Sequence, residues 1–317
     1  MTTRAKIKQE LQKITTRLYD KGKPAVMLNV SQFGSFVDNN CPLPSNREMI
    51  TRAKERNVKL TATKIGGTDV EKEKKINKDT VLFSDTDLRL TEKERDQQPL
   101  NRYVMFVAEN MAARPDPKAA HGGFFSMFHD LARPTNTYKL YTQLNDSRFR
   151  GAYITDLIKN TEESDSGHVD IAFLIGPKEE KSILHWQDNL KQNIARLMKV
   201  RKRKKTTYQI AETETEARDI LKANAATFRT SAAIFAQECH VIKPEHLVIF
   251  GSSAAKALRQ MKPLFAGDSF MLSLYDKIVV TTHYAYVNRG GLAALAKKQP
   301  AELLDQLKKI DENKVIQ

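Results

Sequence analysis

Four short apolar runs constrain this 317-residue chain more than any other feature: 103–108 (YVMFVA), 151–158 (GAYITDLI), 247–250 (LVIF) and 277–282 (KIVVTT). Each is too brief to cross a membrane. Continuous apolar runs of roughly four to eight residues read as strands buried on both faces, the pattern of a covered parallel sheet. Helical periodicity fills the intervals at 184–198, 215–238 and 253–261. Buried strands alternating with helices predict an α/β fold with a mostly parallel central sheet flanked by helices. In such folds the chemistry lies outside the carboxyl ends of the strands. That rule directs attention to Glu109 and Asn110, Asp156, Gly251 and Ser252, and His283.

The first hundred residues have a different texture. Ile7, Leu11, Ile14 and Leu18 recur at helical spacing and predict a helix over 4–20. Beyond it come an apolar run at 25–30, a helical pattern at 46–56, and strand-like pieces at 58–63 and 80–84. The hydrophilic stretches 71–79 (EKEKKINKD) and 91–98 (TEKERDQQ) read as exposed connections. The expected organisation is an amino-terminal extension over 1–100, an α/β domain over 101–292 and a carboxyl-terminal segment, 293–317, with a helix near 301–310.

Composition narrows the function classes. Lys and Arg number 52 against 38 Asp and Glu, leaving a net charge of +14. A surplus of that size favours a polyanionic partner, with a highly soluble basic enzyme as the plain alternative. Two cysteines, Cys41 and Cys239, are too few for a disulfide framework or a four-cysteine metal cluster. The start, MTTRAKIKQELQ, has no apolar core of the kind a signal peptide carries, and no run approaches the ~18 apolar residues of a membrane span. A cytoplasmic protein with no membrane association is expected. The chain has no GxxxxGK[ST], GxGxxG or GxSxG, which argues against P-loop NTPases, dinucleotide enzymes and serine hydrolases.

The loop after the first buried run carries a resemblance. Ala120-His121-Gly122-Gly123-Phe124-Phe125-Ser126-Met127, followed by Pro134-Thr135-Asn136-Thr137-Tyr138-Lys139, looks like the pocket segment of the uracil-DNA glycosylase superfamily. The order then holds. Gly151-Ala152-Tyr153-Ile154-Thr155-Asp156 falls where that family has its base-reading strand. Phe250-Gly251-Ser252-Ser253-Ala254-Ala255-Lys256 resembles a later strand-to-helix turn, and His283-Tyr284-Ala285-Tyr286-Val287-Asn288-Arg289-Gly290 the closing histidine loop. The likeness spans about 100–292, with an insertion near 161–245. It implies a base flipped out of nucleic acid, DNA in this family, stacked on an aromatic ring and read along its polar edge. Water then attacks the sugar C1′ as the glycosidic bond breaks. No cofactor is implied.

By this resemblance Asn110 positions the water, and Phe125 stacks on the base with Phe124 as the fallback. Asp156 reads the base, and His283 stabilises charge on the departing ring. An amide takes up no proton at neutral pH, so Asn110 can only orient the water. Glu109 is the neighbouring candidate base, but adjacent residues on a strand point apart, and a surface or capping carboxylate is its plainer reading. Uracil readers present Asn where this chain has Asp156. An ionised carboxylate offers acceptors only, which disfavours a uracil carbonyl and favours an edge rich in N–H donors. The expected substrate is therefore an amino-bearing, modified or damaged base. The family follows its histidine with Pro-Ser, where this chain has Tyr284-Ala285.

Tyr286, Val287 and Arg289 fall where the family wedges the duplex and touches phosphate. A second basic element, Lys199-Val200-Arg201-Lys202-Arg203-Lys204-Lys205, packs six positive charges into seven residues. Lys202, Arg203, Lys204 and Lys205 are its candidate phosphate contacts, with a solvated helix end as the alternative. His129-Asp130, with His121, His168 and Asp170, offers a metal-hydrolase reading that lacks any HxH or HxxxH spacing, so no metal is expected. Two functions stay open: an N-glycosidic hydrolase acting on a flipped base, and a binding or sensing protein that keeps the pocket without the chemistry.

Overall fold

A computed structural model describes residues 4–18, 26–40, 42, 60–62, 74–76, 89–110, 128, 140–159, 161, 163, 166–176, 179, 181–200, 210–283 and 292–315. All four apolar runs form strands: β6 (Asn101–Asn110), β7 (Ala152–Ile158), β8 (His246–Phe250) and β9 (Ile278–Thr281). They pair in parallel in the order β7-β6-β8-β9, and a two-residue strand, β3 (Ser35–Phe36), adds antiparallel to the outer edge of β7. The α/β expectation of a mostly parallel sheet between helices is met.

Side-chain alternation sorts the strand residues onto two cores. Val104, Phe106 and Ala108 of β6 join Ile154, Val248, Phe250 and Val279 on one face, under Leu140, Leu144 and the leucines of the last helix. Phe106 lies edge-on to Phe149 at 5.4 Å and stacks with Phe250 at 5.7 Å. Such ring pairs add ~0.5–1.5 kcal/mol each beyond the area they bury. Met105 and Val107 face the other way, into a larger core with Leu221, Phe228 and Phe235.

The helix carrying those three residues is the longest, Glu214–Ile242. Its start follows from Thr213, whose side chain accepts from the Glu216 N–H, and from Glu214 and Glu216 in the first turn, which complement the helix dipole. It stops at Lys243, which takes a left-handed φ of 54° just ahead of Pro244. The stretch 161–245, an insertion by the resemblance, thus supplies most of one helical layer. Helices Ser166–Ala172, Leu190–Met198 and Ser252–Met261 complete that layer.

Several local expectations change. The helix predicted over 4–20 ends at Gln12; Ile14 turns into the core and Thr15–Leu18 becomes β1, paired with β2 (Val26–Asn29). The β-branched pair Thr15-Thr16 favours that switch. The supposed connection at 91–98 is a helix, Glu92–Gln97, because Thr91 and Glu94 form a reciprocal capping box. The 71–79 segment holds a short strand, β5 (Lys74–Ile76), paired with β4 (Leu60–Ala62). The 184–198 pattern divides into a 3-10 turn, Ile183–His185, and the helix Leu190–Met198. The last helix runs Leu292–Val315 and passes through Pro300. The patterns at 46–56 and 80–84 lie outside the described residues.

The first forty residues, read as an extension, share the main core. Ile7, Leu11, Val30 and Phe36 are buried with the sheet residues. Arg4 donates to both oxygens of Asp38, at 2.8 and 2.6 Å, and lies 4.1 Å over the Phe36 ring.

Candidate functional site

The strand order contains a topological switch point. The chain leaves β6 for β7 on one side, then crosses to β8 on the other, which puts the switch point, where such sheets bind ligands, at the carboxyl ends of β6 and β8. Glu109 and Asn110 end β6, and Gly251 follows β8. Asp156 lies near the end of β7, level with Ala108, and His283 stands two residues past β9. All four described candidates from the sequence therefore gather at one edge of the sheet.

Register separates them by face. Asp156 pairs with Ala108 and so projects from the face of Phe106 and Phe250, whereas Asn110 pairs with Ile158, which lies in the larger core. Glu109 projects from the face opposite Asp156, with Met105 and Val107. The Asn110 amide donates from Nδ2 to the Glu163 carbonyl at 3.0 Å, which fixes its orientation. Asp156 is buried, and its own carbonyl accepts from Lys159 Nζ.

Glu109 is no surface or capping carboxylate. Its Oε1 is buried with no hydrogen-bond partner among the described residues. Burial, reinforced by the Asp170 and Asp156 carboxylates, pushes its pKa to about 8. At neutral pH it holds a proton. Asp170, on helix Ser166–Ala172, is also raised by burial, although a hydrogen bond with Ser253 and the Lys256 charge work the other way. Lys256 donates to the Gly176 carbonyl at 2.6 Å and to the Glu179 carbonyl, tying the start of helix Ser252–Met261 to the loop after Asp170.

Gly251 holds a φ of +91°, a region that glycine enters without the clash a side chain brings. A Cβ built there lies 3.4 Å from the His283 Cβ, so the histidine packs directly on this turn. Burial depresses the His283 pKa to about 4, which leaves the imidazole neutral at physiological pH. A neutral imidazole donates from one nitrogen and accepts at the other.

No family model, curated protein or solved structure matches this chain. The site stands on its own geometry.

Phe124, Phe125, Tyr286, Val287, Arg289, Lys202, Arg203, Lys204 and Lys205 lie outside the described residues, as do His121, His129 and Asp130 of the metal reading. Among the described residues no group of three His, Cys, Asp or Glu side chains is placed to hold a metal ion. His168 instead stands 3.8 Å from the buried Glu163 carboxylate.

Sequence reasoning missed Lys159 and Gln143 and considered Asp170 only as a metal ligand. Asp170 shapes the Glu109 proton affinity across a gap in sequence that no spacing rule reveals. Lys159 is wholly buried at the end of β7, in an ion pair with Glu238. Gln143 is buried beside the β9 end, and its signal was legible: it falls between Leu140 and Leu144 on an otherwise apolar helical face.

Proposed function

We propose that the carboxyl edge of this sheet receives a base flipped from nucleic acid, DNA in the first instance, and hydrolyses its N-glycosidic bond. The observation that carries this reading is the placement of Asn110, Asp156 and His283, from three different strands, at one edge of the sheet beside its switch point. The resemblance of the loops after those strands to uracil-DNA glycosylases supplies the chemistry.

In the hydrolysis, a water oxygen bonds to C1′ while the C1′–N bond breaks and its electron pair leaves with the base; the water gives up its proton to solvent, and the departing base takes one from solvent. Asn110, held by the Glu163 carbonyl through Nδ2, turns its carboxamide oxygen toward the water proton. His283, neutral and packed on Gly251, donates a hydrogen bond to the base as negative charge develops there. Glu109, on the face opposite Asp156 and protonated below about pH 8, takes no part as the base for the water. Asp156 accepts from the donor edge of the base, so an amino-bearing or damaged base suits the site better than uracil. Phe125, or Phe124, stacks on the ring. Tyr286, Val287 and Arg289 meet the duplex, and the 202–205 run meets phosphate.

A specific observation also supports the non-catalytic alternative, a base-binding or sensing protein. Asn110 takes up no proton, and Glu109 is not ionised at neutral pH, so neither strand-end candidate is a ready general base.

The deciding experiment incubates the purified protein with single- and double-stranded oligonucleotides, each carrying one modified, amino-bearing or uracil base, and measures abasic sites by alkaline strand cleavage. Abasic product, weakest on uracil, supports the hydrolase. Retention of one base without product supports the sensor. No base-dependent binding and no product anywhere overturns both.

A further inference from the structure

Gln143 occupies the helical turn 140–143 and is 1% exposed. Its Nε2 donates to the Thr282 carbonyl at 2.9 Å and to Thr281 Oγ1 at 3.3 Å. The reverse amide orientation would set Oε1 against the Thr282 carbonyl, two acceptors face to face, so bonding fixes which end points where. Oε1 is then left buried, with no donor among the described residues. A buried carboxamide oxygen without a donor carries an uncompensated desolvation cost. As fold stabilisation this side chain is poorly suited to its place, since an apolar residue between Leu140 and Leu144 packs there without that penalty.

What Gln143 does achieve is local. Thr281 ends β9, and its carbonyl accepts from the Gly251 N–H at 2.8 Å. The next carbonyl, that of Thr282, is the one Gln143 holds, and the next residue is His283. The chain leaving the sheet is therefore pinned twice within two residues, by the Gly251 turn on one side and by Gln143 on the other. The two clamps, Gln143 and Gly251, come from segments more than a hundred residues apart in sequence. The strand register puts Thr281 level with Phe250, so the clamp lies on the face that also carries Asp156.

We infer that Gln143 is a positioning residue for His283: its carboxamide fixes the Thr281–Thr282 backbone so that the His283 Cβ, from which the imidazole projects, is held against the Gly251 turn at the carboxyl edge of the sheet. It touches neither base nor sugar, and acts through the histidine. The inference rests on the base-hydrolysing role given to His283 above, and it extends that role to a residue no motif selects.

The test compares the full-length protein with Gln143→Leu and Thr281→Val. Leucine keeps the volume and removes both donated bonds. Valine keeps the β-branched shape on β9 and removes one acceptor. Replacing an incompletely paired buried amide by an apolar group is close to neutral for stability, so both variants are expected to unfold near the wild-type temperature. Thr281→Val is the safeguard if Gln143→Leu folds poorly.

The first readout is the His283 titration by NMR. A histidine released from its buried seat moves from about 4 toward the ordinary value of ~6.5 in Gln143→Leu, and by less in Thr281→Val. The second is abasic-site formation on the oligonucleotide that the wild-type protein processes best, where a misplaced His283 lowers kcat by roughly 100-fold with KM little changed. An unchanged His283 titration in both variants overturns the inference, as does a shifted titration with wild-type kcat. If the wild-type protein processes no oligonucleotide, the base-hydrolysing function fails, and the titration alone decides whether Gln143 holds His283.

Discussion

Lys159 Nζ lies 2.6 Å from Glu238 Oε2, and both side chains are wholly shielded from solvent. Tyr153 and Thr155 donate their hydroxyls to Glu238 Oε1 at 2.8 and 2.9 Å, and Lys159 also donates to Thr155 Oγ1 at 2.8 Å. This network joins the end of β7, where Asp156 lies, to the longest helix. Removing one member leaves an uncompensated buried charge. Lys159→Met alone is expected to cost ~3–5 kcal/mol in urea unfolding, and the double change Lys159→Met with Glu238→Leu to recover most of that loss. Equal losses in the single and double variants would show that the charges are not coupled.

Glu109 and His283 give stability opposite pH slopes. The Glu109 carboxyl is raised to about 8 in the folded chain from an ordinary value of 4.5. The folded state therefore holds the proton more tightly than the unfolded one, and the contribution is full below 4.5 and lost as pH rises through 8. Glu109→Gln removes that loss, so its stability relative to wild type should climb between pH 5 and pH 8 by on the order of 4 kcal/mol. His283, lowered from 6.5 to about 4, behaves in reverse: its stabilising effect is present above 6.5 and lost as pH falls through 4. His283→Gln should flatten the acid limb. Chemical denaturation across pH 3.5–9 reads both, and parallel wild-type and variant profiles would contradict these assignments.

Gly251→Ala tests the turn beneath His283. The added Cβ meets the His283 Cβ at 3.4 Å, an ordinary contact, so the cost comes from forcing alanine to a φ of +91°. A loss of ~1–2 kcal/mol is expected. Gly267 has open space around it, and Gly267→Ala should be neutral or slightly stabilising. Similar thermal unfolding temperatures for the two variants would remove the special role of Gly251.

The basic run predicts a salt signature. Changing Lys202, Arg203, Lys204 and Lys205 to Ala together should flatten the slope of log affinity against log salt by roughly 3–4, because each phosphate contact contributes ~0.9 to that slope. The measurement is fluorescence anisotropy with a labelled duplex from 50 to 300 mM salt, concentrations of roughly that span being enough to define the slope. An unchanged slope would make the run a solvated surface.

Much of the sheet was legible because its signals are local. A buried parallel strand is apolar along its whole length, so β6, β7, β8 and β9 announce themselves within a few residues each. The same rule led to Glu109, Asn110, Asp156 and His283, since strand ends in an α/β fold are where ligands sit. Legibility failed where a weak local pattern met a tertiary alternative. Leu18 fits the helical spacing of Ile7, Leu11 and Ile14, yet pairing with β2 takes it into a strand. The capping box at Thr91 and Glu94 was present in the sequence but hidden by the hydrophilic character of its segment.

What the sequence alone determined is the class of fold, the order of its strands along the chain, and the edge on which to look for chemistry. All three follow from periodicities that span one element. Only the tertiary structure decided that β6 lies between β7 and β8 and that Gln143 grips the backbone before His283. Protonation belongs to that second group as well. Whether Glu109 carries a charge depends on water excluded from around it and on carboxylates brought near by Asp156 and Asp170, and desolvation is a property of packing that no single segment contains.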